Sequence, residues 1–216
     1  MPVRTKRPPG RETTRKETTR DRILAACQEL FNARGPGDVT TAEIAAKVGI
    51  NEGNLYYYFQ RKEQILEALF QAFETALERV ATADLSYAGD ATRYREYLGG
   101  WFVLMWEWRF IYRDGLAVCR LAPALRKRVV ALSDSSQAQV RRTLDEMLRA
   151  GLIKARPKQL DRLNVNAWII ATYWIDYLRL RHGSEKITRK QLDWGAAQVM
   201  SLYEPYLTDK GRAVFT

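Results

Sequence analysis

Apolar residues recur along this chain at three- and four-residue intervals. No stretch alternates strictly between apolar and polar, so the pattern predicts helices throughout and no strands. Ile23, Ala26, Cys27, Leu30 and Phe31 share one face of a first helix over Thr18 to Ala33, stopped by Gly35, Pro36 and Gly37. A second helix starts at Thr40, where Thr40 and Glu43 have capping-box spacing, and turns Ile44, Ala45 and Val48 inward. Gly49 accepts the left-handed backbone of a tight turn, Ile50 plugs the corner, and Asn51 caps a third helix anchored by Leu55 and Phe59. A long fourth helix from about Lys62 carries Ile65, Leu66, Leu69, Phe70, Phe73, Leu77 and Val80, and Ser86 to Asp90 has the composition of a linker. Further helices are expected over Thr92 to Arg109, Tyr112 to Arg120, Pro123 to Ala150, Lys158 to Arg181 (capped by His182 and Gly183) and Thr188 to Leu207. The expectation is an all-α protein of about nine helices.

Charge adds a partner. The net charge of +10 favours a polyanion. Residues 1–20 hold seven basic side chains against Glu12 and Glu17, half of that total. With Pro8, Pro9 and Gly10, residues 1–17 are expected to form a disordered basic arm, which either follows a phosphate backbone or only aids solubility. Cys27 and Cys119 lack metal-ligand spacing and are expected to be buried free thiols in a reducing compartment, with no metal. The start of the chain does not resemble a signal peptide, and runs such as Trp101–Trp106 fall well short of the roughly 20 residues that span a bilayer. A cytoplasmic protein is expected. An enzyme has no support: there is no phosphate loop, no nucleophile elbow and one histidine in all. No cofactor is implied.

The segment Thr40 to Lys62, TTAEIAAKVGINEGNLYYYFQRK, carries the most specific signal. Two short helices joined at Gly49, with polar and aromatic side chains left over on the second, have the layout of a helix-turn-helix that lays its second helix in the DNA major groove. The wider stretch Thr18–Leu69 contains R-I-L-x-A, then G-x-x-x-x-T-x-x-x-I-A-x-x-x-G-I, then G-x-L-Y-x-x-F-x-x-K-E-x-I-L. In these motifs it resembles the amino-terminal domain of the tetracycline-repressor (TetR) family. Beyond the fourth helix the resemblance weakens, although Glu107–Leu125 is similar to a subgroup of regulatory domains with R-F-x-Y-R-D ahead of P-x-L.

The resemblance implies a DNA-binding domain over 18–64 and a helical ligand-binding and dimerisation domain over 65–216. Residue by residue, it implies that Thr40 and Thr41 lie beside a phosphate and that Asn51, Glu52, Gly53 and Asn54 sit near base edges. It also implies Tyr56 on a phosphate, Tyr57 at the groove wall and Lys62 on the DNA backbone. Ala42 departs from the family, where many members carry a basic residue. Elementary chemistry agrees with much of this. A helix amino terminus is an anion site, asparagine pairs with adenine, and glutamate accepts from a cytosine amino group. Glu52 is the odd member, a carboxylate beside phosphates unless it pairs, and it equally suits the helix dipole. Tyr58 and Phe59 are expected to be packing residues.

In the larger half, Trp101, Met105 and Trp108 fall on one helical face, with Tyr112, Trp168 and Tyr173 nearby. They form either an apolar ligand pocket or simply a helical core, and the resemblance favours the pocket. Arg93, Arg109, Arg113 and Asp114 are possible polar partners there. The resemblance further implies a homodimer through the last two long helices, with Ile170, Trp174, Trp194, Leu202 and Tyr203 in the interface. The implied function is a repressor on a palindromic DNA operator, released by a small apolar effector. An activator of the same family is the alternative, and a non-specific nucleoid-type DNA-binding protein is a third reading favoured by charge alone.

Overall fold

The structure, a computed structural model, describes residues 18–81, 91–183 and 188–215. The arm over 1–17 and the linker at Ser86 to Asp90 lie outside them. Eleven α-helices are described: α1 Thr19–Arg34, α2 Thr41–Val48, α3 Glu52–Tyr58, α4 Lys62–Ala81, α5 Ala91–Glu107, α6 Arg109–Arg113, α7 Gly115–Leu121, α8 Leu125–Arg149, α9 Pro157–His182, α10 Arg189–Ser201 and α11 Asp209–Phe215. The only strand-like pairing among the described residues is one bridge, Ile153 to Leu207. None of the described helices is long and apolar enough to cross a membrane.

The extra helices have local causes. The expected Tyr112–Arg120 helix breaks at Asp114, whose φ of −107° and ψ of 22° leave the helical region, giving α6 and α7. The last expected helix stops at Ser201, and a 3-10 turn through Glu204–Tyr206 leads into α11. That closing helix lies so close to the chain that a Cβ on Gly211 would sit 2.0 Å from the Leu152 carbonyl oxygen. Only glycine admits such an approach.

The apolar stripes close two cores. In the first, Ile23, Phe31, Ile44, Leu55, Leu66 and Phe73 from α1–α4 merge with Leu104, Trp108, Phe110 and Val118 from the larger half. The second joins α5, α8, α9 and α10 through Phe102, Met147, Leu163, Trp174 and Val199. α4 therefore belongs to both halves, and each fully buried Phe or Leu contributes about 1.5–3 kcal/mol. At the α5–α9–α10 junction, a Cβ on Gly195 would come within 2.8 Å of the Phe102 and Trp174 rings. Cys27 is buried as expected, and burial pushes its thiol up to about 12. Cys119, expected to be buried, is only half-buried.

Candidate nucleic-acid interface and effector cavity

The helix-turn-helix is fixed by its caps. Thr40 Oγ1 accepts the Glu43 N–H at 3.2 Å, and the Glu43 carboxylate accepts the Thr40 N–H at 2.8 Å. Arg34 donates to the same carboxylate at 2.7 Å. Arg34's hydrogen bond, followed by those from Thr40, holds the Glu43 carboxyl down at about 2. Gly49 turns the chain at φ +73°, and Asn51 Oδ1 caps α3 by accepting the Asn54 N–H at 2.7 Å.

Leu55 and Phe59 are buried under α3, which forces the rest of this short helix outward. Asn51, Glu52, Gly53, Asn54 and Tyr56 are exposed, and Tyr57 is 83% exposed. Tyr58, expected to pack, is instead 39% exposed and meets Tyr57 edge-on, 5.2 Å between centroids. Three consecutive tyrosines facing water mark a surface that awaits a partner. Glu52 acquires a role the pattern left open. The Thr41 hydroxyl donates to its carboxylate at 2.7 Å and lies 3.2 Å from the Tyr56 hydroxyl. The amino termini of α2 and α3 are thus joined side by side.

Lys62 is held inward. Its ammonium donates to the Val39 carbonyl and lies 6.0 Å from the Phe31 ring centroid. Burial lowers its pKa, opposed by Asp38, Cys27 and Glu43.

A polar joint ties α1 to the larger half. Asn32 is buried; its Nδ2 donates to the Glu107 carbonyl at 2.7 Å and its Oδ1 accepts the Phe110 N–H at 3.1 Å. Arg113 donates to the Asn32 and Phe31 carbonyls at 3.1 and 3.0 Å, and pairs with Asp114. Asn32 escaped the sequence reading because a lone asparagine in a helix carries no pattern. The R-F-x-Y-R-D stretch held the signal, since Phe110 and Arg113 of that stretch make this joint.

Behind the joint lies a cavity of about 80 Å³ between α5, α8, α9 and α10. Of the expected lining, Trp101, Met105, Tyr112 and Trp168 are there, together with Tyr97, Phe102 and Tyr203. Trp108 is not. α5 ends at Glu107, so the helical face shared with Trp101 and Met105 stops one residue short, and Trp108 packs against Phe73 at 5.6 Å. Tyr173 is not either: it is 54% exposed, on the side of α9 opposite the cavity. Arg109 stacks on Trp106 at 3.9 Å, and neither it nor Arg113 nor Asp114 lines the cavity.

The expected interface residues divide in the same way. Trp174 and Tyr203 are each 3% exposed within a single chain, Trp174 against Phe102 at 5.1 Å and Tyr203 on the cavity. Neither can be reached by another copy. Ile170 and Leu202 are partly buried against the second core. Trp194 is 38% exposed and stacks on Tyr177, 5.8 Å between centroids. The exposed apolar stripe of α9 runs instead through Val165, Ile169, Tyr173 and Tyr177 at four-residue spacing.

This geometry has relatives. Residues 23–69 match the family described as bacterial regulatory proteins, tetR family, and residues 59–215 match TetR, bacterial transcriptional repressor. The chain belongs to the TetR family, whose descriptions are of regulators, not enzymes. It is similar to the HTH-type transcriptional regulator SrpR of Pseudomonas putida, 39% identical over 69 residues, a match spanning 32% of each chain. The match thus covers about a third of that relative's length. The nucleoid occlusion factor SlmA of Marinobacter nauticus is 30% identical over 145 residues, 65% of this chain and 74% of that protein. A solved TetR-family transcriptional regulator from Marinobacter aquaeolei VT8 superposes with a TM-score of 0.82 at 30% identity, covering 91% of this chain and 94% of that one.

Proposed function

We propose that the protein is a cytoplasmic, homodimeric transcriptional repressor that leaves a palindromic DNA operator when a small effector enters the α5–α8–α9–α10 cavity. The observation that carries the DNA reading is the outward face of α3, polar and aromatic throughout, held by the buried Leu55 and Phe59. In this reading Asn51 and Asn54 meet base edges, and Tyr56 and the amino terminus of α2 meet phosphates. The α9 stripe, with Trp194 beside it, pairs two copies. Two recognition helices then stand about one DNA turn, roughly 34 Å, apart.

The route from cavity to DNA is short in sequence. Tyr112 lines the cavity and meets Phe73 of α4 edge-on at 5.8 Å. Its neighbour Arg113 holds the end of α1. An effector that moves Tyr112 therefore acts on α4 and α1 together, and DNA is released when the effector binds the two arrangements unequally. Footprinting the protein on the DNA flanking its own gene tests this reading. A protected inverted repeat supports it, and uniform, salt-sensitive coverage sinks it.

The likeness to SlmA reaches beyond the helix-turn-helix, which favours a second reading: a site-specific DNA-binding protein that acts on the nucleoid. Transcript levels of genes beside the footprints separate the two, changing on deletion only for a regulator.

A further inference from the structure

The cavity lining is chemically narrower than apolar. Among the described residues no Asp, Glu, Lys, Arg or His side chain lines it, so an ion entering there finds no counter-charge among them, and burying an unpaired ion is costly. Its polar groups are hydroxyls and the indole N–H groups of Trp101 and Trp168. Thr143 and Thr172 donate to the Gln139 and Trp168 carbonyls one turn earlier, at 3.2 and 2.8 Å. The Tyr97 hydroxyl receives the Gln139 amide at 3.4 Å.

Tyr112 and Tyr203 differ from these. Both phenols lie deep in the protein, so that desolvation raises each above its ordinary range and keeps its proton in place. Both residues face the cavity, and neither hydroxyl makes a hydrogen bond to the described residues. A donor set this deep and left unpaired is destabilising. Two of them opening on one space point to acceptors that arrive from outside.

Resting on the reading of this cavity as the effector site, we propose that it takes an uncharged aromatic molecule bearing two acceptor oxygens, carbonyl or ether, which receive the protons of Tyr112 and Tyr203. Trp101, Phe102 and Trp168 supply the walls for its rings. The cavity holds about 80 Å³ as it stands, less than the roughly 150 Å³ that admits benzene elsewhere. The molecule enters only as the flexible Met105 and its neighbours yield. It therefore favours an expanded arrangement, which is the inequality a switch requires.

The test uses full-length protein without DNA, so its outcome is independent of operator binding. Equilibrium dialysis compares three tricyclic probes of similar size: xanthone (neutral, with carbonyl and ether oxygens), its 2-carboxylate, and 9,10-dihydroanthracene. Xanthone is expected to bind at least about tenfold more tightly than the other two. Tyr112→Phe and Tyr203→Phe are each expected to weaken xanthone by about fivefold and to leave the hydrocarbon within about twofold. Equal or tighter binding of the carboxylate, no binding of xanthone, or folded Phe variants that bind xanthone like the wild type would overturn the proposal. Should a variant not fold, the three-probe comparison on the wild type still decides. A protein that footprints an operator yet fails here loses the ligand class and keeps the DNA reading.

Discussion

Asn32 near the end of α1 is joined to Phe110 at the start of α6, its Oδ1 accepting the Phe110 backbone N–H at 3.1 Å in a buried setting. Asn32→Ala leaves that N–H unpaired and removes a donor from the Glu107 carbonyl. The expected cost is about 1–3 kcal/mol, seen as a lower midpoint in thermal or urea unfolding. If this joint also carries the signal, operator affinity in the variant responds less to a cavity ligand. A variant as stable as wild type with an unchanged ligand response would contradict both parts.

Tyr56 and Lys62 separate by their surroundings. Tyr56 is exposed and, among the described residues, hydrogen-bonds only to Thr41, so Tyr56→Phe is expected to weaken operator binding by about fivefold and leave the unfolding midpoint unchanged. Lys62 is half-buried on the Val39 carbonyl, so Lys62→Ala is expected to lower both operator affinity and stability. Fluorescence anisotropy on labelled operator, paired with calorimetry, makes the distinction. Equal stability of Lys62→Ala and wild type would deny the inward bond.

Acid acts on the α2 cap. Glu43 titrates near 2 in the folded chain against 4.5 ordinarily, because it accepts from Arg34 and Thr40. A depressed folded value means that its contribution is present above pH 4.5 and is lost as pH falls toward 2. Glu43→Gln removes the charge at every pH. The stability gap between wild type and Glu43→Gln is therefore expected to narrow across that window, read from unfolding midpoints at stepped pH. A gap that stays constant down to pH 2 would rule this cap out as an acid-sensitive element.

The outer face of α9 predicts assembly. Tyr173 and Tyr177, both exposed within one chain, stand on the stripe that continues to Trp194. Tyr173→Glu with Tyr177→Glu is expected to give monomers by light scattering at concentrations where wild type is a dimer. Trp174→Ala, by contrast, empties a buried position and is expected to cost about 3–5 kcal/mol in folding. Dimers that survive both glutamates would move the interface elsewhere.

Much of the recognition half was legible in sequence because its signals are local. The Thr40–Glu43 capping box, the left-handed Gly49 and the Asn51 cap each depend on residues within a few positions of one another. The larger half was less so, for physical reasons. α9 is apolar on two faces, so periodicity gives a stripe without saying which one is inside. Trp174 accordingly reads as outward and is buried, and Tyr203, past the end of α10 where the helical pattern no longer holds, is buried as well. Trp108 left the cavity because α5 ends one residue before it, and a helix end with no cap residue has no sequence signature. Asn32 and Arg113 bond across more than 80 positions, a separation that no local pattern reveals.

Selection from a pool of random-sequence duplexes tests the central claim most directly, followed by measurement of the mass of the complex on the winning site. The account predicts an inverted repeat with half-sites about one helical turn apart, bound by a pair of protomers and lost with Asn54→Ala and Tyr57→Ala. Recovery of no preferred sequence, or of a site filled by a single protomer whose affinity ignores changes on α3, would contradict it.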